Sequence, residues 1–121
     1  MSEPVAVLVA RELVAHPRFA WSEGMRNVLG CRRVDEPSGD WLDDMGEWLY
    51  GDPRDGTGLV SPPDLADAAT AGVLVSMLDP SGMRGTTFCR ERDGTWWVDT
   101  YTAPTLGEAV ARALLASWGP A

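Results

Sequence analysis

Ten carboxylates fall between Asp35 and Asp67, with Arg54 the sole basic residue among them. That stretch therefore carries −9, against −8 for the whole chain, and the remaining residues sum to +1. Within it, Asp40, Asp43, Asp44 and Glu47 recur at three- and four-residue intervals and are flanked by Trp41 and Trp48. On a helix these acids share one face, which is either solvated or a docking surface for a basic partner, since clustered acids steer and hold Arg/Lys-rich surfaces. A mimic of nucleic-acid charge that blocks a DNA-binding host protein is one form of the second use.

Other chemistries fare worse. A hard cation wants six or more oxygens in a defined loop, whereas Asp52-Pro53-Arg54-Asp55-Gly56 lacks the alternating acids of a calcium loop and reads as a turn. His16 is the only histidine and sits before Pro17 at a helix end, so there is no ligand set for zinc. No Gly-x-Ser-x-Gly, phosphate-binding loop or dinucleotide turn occurs, and nothing singles out two carboxylates for glycosidase work. No catalytic residue, metal or cofactor is assigned, and a non-enzymatic protein is expected.

A second constellation lies near the C-terminus. Arg84, Arg90 and Arg92 surround Trp96, Trp97 and Tyr101. Guanidinium and ring together can hold a nucleotide-like anion by charge and stacking, at an oligomer interface. The ordinary alternative is a core hairpin with arginines on its wet edge. Adjacent Trp96 and Trp97 point to opposite faces of a strand, so at most one joins any single platform.

These residues must be positioned by a chain of 121 residues, which predicts one domain, residues 1–121, with an acidic loop and short-helix insert at about 35–63. Pro4 opens a helix whose apolar positions are Val5, Leu8, Val9, Leu13 and Val14, and His16-Pro17 stops it. Residues 18–34 read as a strand or hairpin around Gly24 and Gly30. A short helix over 40–50 follows from Trp41, Met45, Trp48 and Leu49, weakened by Gly46. Ser61-Pro62-Pro63-Asp64 reads as a capping box opening a helix with Leu65, Ala68, Ala69, Gly72, Val73, Ser76 and Met77 on its buried face. Arg84 to Tyr101 reads as a hairpin with a two-residue turn at Asp93-Gly94. On its second strand, Trp96, Val98 and Thr100 share one face and Trp97, Asp99 and Tyr101 the other. Thr105 and Glu108 open a last helix, which Gly119-Pro120 closes.

The expected class is α+β: a small, mainly antiparallel sheet with helices packed around it, in the manner of an α-β-α sandwich. Net negative charge argues against direct binding of nucleic acid or an anionic membrane. Cys31 and Cys89 are expected as two reduced, buried thiols. All ten basic residues are Arg; Lys, Ile and Gln are absent, and Asn27 is the only Asn, the mark of a GC-rich genome. A cytoplasmic protein of a bacterial host cell is expected, with homo-oligomerisation left open.

Three motifs point to a family. Pro17-Arg18-Phe19-Ala20-Trp21 with Gly24-Met25 resembles the RFxWxxGM opening of small phage and prophage proteins. The stretch Pro63 to Gly72 is similar to their PDLxDxATxG helix start, and Thr105 to Leu114 to their TxxEAVxxAL pattern. The layout resembles phage ABA-sandwich domains. The resemblance implies a phage accessory protein and supplies no catalytic residues. Joined to the acidic segment, it gives the leading expectation: binding and antagonism of a host defence macromolecule with a basic surface, through Asp40, Trp41, Asp43, Asp44, Glu47 and Trp48. Capture of a small anion by Arg84, Arg90, Arg92, Trp96 and Trp97 is the alternative, and a minor virion or assembly component the third.

Overall fold

The computed structural model describes residues 4–36, 39–42, 45, 48–49, 62–79 and 85–120. Helix α1, Val5–Ala15, begins after Pro4, whose φ of −56° suits a helix entrance, and ends where His16 turns extended before Pro17. Its buried stripe is Val9, Ala10 and Leu13. The chain then makes turns rather than the expected strand or hairpin over 18–34: only Arg32 onward is strand, with single bridges from Arg26 to Arg32 and from Asn27 to Pro63. Asn27 organises this corner. Its side-chain oxygen accepts from the N–H groups of Leu29 and Cys31, 3.0 Å each, closing the loop that Gly30 turns at φ +91°.

Strands β1 (Arg32–Glu36), β2 (Gly39–Leu42) and β3 (Trp48–Leu49) form an antiparallel sheet in that order, with Trp41 opposite Arg33 on one side and Leu49 on the other. At the described residues of the helix expected over 40–50, strand pairing stands in its place, and Asp43, Asp44, Gly46, Glu47 and Tyr50 lie outside the described residues. A short isolated helix containing Gly46 is marginal in water, whereas the strand seats Trp41 edge-on against Trp21, 5.0 Å between rings, which in turn meets Phe19 at 5.4 Å.

Helix α2, Ala68–Leu78, starts later than the capping-box reading placed it. Pro62 and Pro63 lie in an extended stretch beside Asn27, and the cap is Asp67, whose carboxylate accepts from the Thr70 N–H. Its buried side is Thr70, Ala71, Leu74 and Leu78, not the stripe through Ala69, Gly72 and Ser76. The helix is apolar nearly all round, so spacing alone leaves its rotation open.

Strands β4 (Phe88–Arg90), β5 (Trp96–Val98) and β6 (Tyr101–Ala103) form a second antiparallel sheet in that order. The turn between β4 and β5 spans Arg92-Asp93-Gly94: the Gly94 N–H donates to Glu91 O, Glu91 N–H to Thr95 O, and only Gly94 has positive φ, +93°. This is the three-residue hairpin loop, in place of the expected two-residue turn. Strand β5 stops at Val98, and Asp99 at φ +53° reverses the chain so that Val98 pairs with Tyr101. Tyr101 thereby joins the Val98 face instead of the Trp97 face. Asp tolerates this left-handed conformation better than most residues.

Helix α3, Leu106–Trp118, is capped by Thr105, whose hydroxyl accepts from the Glu108 N–H at 3.3 Å, and ends at Gly119, as the sequence reads. It is the centre of the molecule. Ala109, Val110, Ala113 and Leu114 are buried against α1, α2 and the β5–β6 side of the second sheet. Its first turn lies so close to the chain before α2 that a Cβ added at Gly107 would collide with the Leu65 carbonyl group. The class is α+β, and among the described residues all strand pairing is antiparallel and is shared between two sheets. Among the described residues, no helix is long and apolar enough to cross a membrane.

Candidate functional site

Much of the described charge is committed to holding the fold. Arg32 meets Asp67 through two nitrogens, 3.1 and 3.0 Å, and also donates to Gly24 O at 2.7 Å. Asp67 further accepts from the Thr70 N–H and hydroxyl at 3.0 and 2.9 Å, while that hydroxyl accepts from the Arg26 N–H at 2.9 Å. One carboxylate thus caps α2 and pins it to β1. Burial pushes the Asp67 carboxyl up, but the Arg32 guanidinium and the Thr70 donors outweigh burial and hold it below its ordinary value. Hydrogen bonding to Asp67 likewise raises Arg32. The sequence shows the Asp67-x-x-Thr70 cap pattern but not which arginine completes it.

This network reduces the acidic segment. Asp67 is bound to Arg32, and Asp64 lies 3.7 Å from Arg26. Trp41, expected to flank a docking face, is 2% exposed and stacks under Arg33, 6.0 Å from guanidinium to ring. Asp40 falls in β2 and Trp48 in β3, on paired strands rather than one helical face. Asp43, Asp44 and Glu47 lie outside the described residues. No group of three potential ligands stands where it could hold a metal ion, among the described residues.

His16 is buried at the end of α1. Its Nδ1 accepts the Arg18 N–H at 3.1 Å, so Nε2 carries the proton and donates to Gly119 O at 3.0 Å, with the Trp118 ring alongside at 4.9 Å. Nε2 thus fastens the end of α1 to the end of α3, while Nδ1 holds the turn that follows α1. Cys31 is buried as expected, while Cys89 is exposed.

The second sheet gathers most of the residues of the alternative reading and divides them. Cross-strand pairing puts Phe88, Arg90, Trp96, Val98, Tyr101 and Ala103 on one face, and Cys89, Trp97 and Thr102 on the other. On the first face the Arg90 guanidinium lies 5.7 Å from the Trp96 ring. On the second, Trp97 lines an open depression with Glu91, Arg92, Asp93 and Thr95. Asp93 accepts from the Thr95 N–H at 2.9 Å, which lowers its carboxyl. Arg84 lies outside the described residues.

Helix α3 covers only part of the first face. Val98 and Ala103 are buried beneath it, yet Phe88 and Tyr101 on that same face are 40% and 36% exposed, and Trp97 opposite is 38% exposed. The sheet overhangs the core. Sequence reading missed Phe88, whose exposure depends on how far α3 covers the sheet, and the changed side of Tyr101, which depends on the unforeseen turn at Asp99.

No family model, curated protein or solved structure matches this chain.

Proposed function

We propose that this chain is a non-enzymatic binding protein that docks on a partner protein through the overhanging β4–β5–β6 sheet. The observation that carries the reading is the exposure of Phe88, Trp97 and Tyr101 beside the exposed Arg90 and Arg92, all within one small sheet and its loop. Aromatic residues and Arg are the types enriched at protein interfaces and at their energetic centres. A protein partner fits this sheet better than a nucleotide-like anion. Arg90 and Trp96 lie on the face opposite Trp97, and the depression beside Trp97 and Arg92 also carries Glu91 and Asp93. In the setting that the phage resemblance implies, the partner is a host macromolecule that the protein antagonises.

A second reading keeps the acidic segment as the contact. Its support is charge: with Asp64 and Asp67 matched to Arg26 and Arg32, eight acids from Asp35 to Asp55 still face Arg54 alone in that stretch. Affinity capture with the full chain separates the two. The sheet reading expects the partner to be lost with Trp97→Ala/Tyr101→Ala and retained by Asp43→Ala/Asp44→Ala. Loss on the acidic variant alone, with capture that weakens steeply with added salt, moves the function to residues 35–67.

A further inference from the structure

We infer that the outer edge of β4 pairs antiparallel with β4 of a second copy of this chain, with the two-fold axis at Cys89; the inference rests on the reading of this sheet as the contact surface. Among the described residues strand β4 is an edge of its sheet, and all three of its residues are exposed. The hydrogen-bond parity of the hairpin says which groups face outward. The Asp99 N–H donates to Thr87 O and the Glu91 N–H to Thr95 O, so residues 87, 89 and 91 direct their backbone groups at β5. The N–H and C=O of Phe88 and Arg90 therefore point away from the sheet, along the open edge.

That edge is self-complementary. In a two-fold pairing about Cys89, each Phe88 stands opposite the other copy's Arg90, and the two residues exchange both backbone hydrogen bonds. Four bonds form, none taken from the existing ladder. Phe88 and Arg90 share a face, so across the new junction each Phe88 ring meets the aliphatic stem of the other copy's Arg90, whose guanidinium stays over its own Trp96. The usual guards of an open edge are weak here: residues 85–92 contain no proline, and Arg90 leans over Trp96 on its own sheet. The other edge is less open, since β6 runs directly into Pro104, and the cleft beside it is lined by Val5, Glu108 and Arg112.

The register makes a sharp test. Cys89 and its symmetry mate form the non-hydrogen-bonded pair between the two exchanged pairs, with Cα atoms about 4.5 Å apart, inside the span a disulfide bridges. Added diamide should link two chains through Cys89: each thiol gives up one proton and one electron, and diamide is reduced to its hydrazine. Cys31 is buried and serves as the internal control. We expect concentration-dependent dimers by sedimentation, and a linked dimer that Cys89→Ser abolishes. Arg90→Pro removes only an outward N–H and spares the ladder to β5. It should slow linking at least about tenfold, as the paired chains lose their effective concentration, while Arg90→Ala, which keeps the N–H, still links. Phe88→Pro removes the other outward N–H and serves if Arg90→Pro perturbs the hairpin by circular dichroism. A chain that stays monomeric at every concentration, or linking unchanged in both proline variants, overturns the pairing. Partner capture that is still lost with Trp97→Ala/Tyr101→Ala in a strictly monomeric chain would leave the contact-surface reading standing and this one fallen.

Discussion

The two sheets are built alike and covered differently. Each has three antiparallel strands with a Trp on its central strand: Trp41 on β2 and Trp97 on β5. Trp41 is closed in by Trp21 and Arg33, whereas Trp97 stands on the face that α3 does not cover, because α3 packs on the Val98 and Ala103 side. An aromatic strand is therefore enclosed or left exposed according to what packs against it, and strand chemistry alone does not say which.

The comparison breaks most directly at the two indoles. Trp41→Ala should cost about 3–5 kcal/mol of stability, the range for emptying a large buried aromatic site, read from urea midpoints. An effect below about 1 kcal/mol there would mean that the first sheet is no better anchored than the second. Gly107→Ala comes next, at roughly 3 kcal/mol, because its methyl group meets backbone that cannot swing aside. A neutral result in chemical denaturation would place α3 farther from Leu65 than described.

Asp67→Ala should cost about 2–3 kcal/mol, through the lost cap and a stranded Arg32. Asp67→Asn should cost less, since the amide oxygen still caps α2. The Asp67 carboxyl is lowered in the fold, so its contribution is complete above its ordinary value of 3.8 and drains away as the pH falls below that. Thermal melts of the native chain should steepen in that acid range, and those of Asp67→Asn should lack this component. Asp99→Ala, which strains the left-handed turn and removes the acceptor for the Thr87 N–H at 3.1 Å, should cost about 1 kcal/mol. Smallest of all, Trp97→Ala should change stability by no more than about 0.5 kcal/mol while abolishing partner capture, the opposite signature to Trp41.

The helices at either end were legible because their signals are local. Pro17 stops α1, and Thr105 and Gly119 bracket α3 through bonds within a few residues. The middle of the chain was harder to read. Asp40 to Tyr50 has helical spacing, yet its strands answer to Arg33 and Trp21, residues outside that window. The α2 face was misjudged for the same reason, as an all-apolar helix takes its rotation from its neighbours. Of the two candidate constellations, the Arg/Trp segment does form a hairpin, and the separation of Trp96 from Trp97 onto its two faces followed from strand alternation. The side taken by Tyr101 did not, because it hangs on one backbone reversal at Asp99.

By itself the sequence determined the α+β class, the ends of α1 and α3, and the concentration of negative charge in residues 35–67, since these depend on local backbone chemistry and on counting. Only the tertiary structure decided which carboxylates are matched to arginines, which tryptophan is enclosed, and which sheet edge is left open. Those outcomes depend on contacts between residues tens of positions apart, whose free energies are set by burial and geometry that no short window of sequence contains.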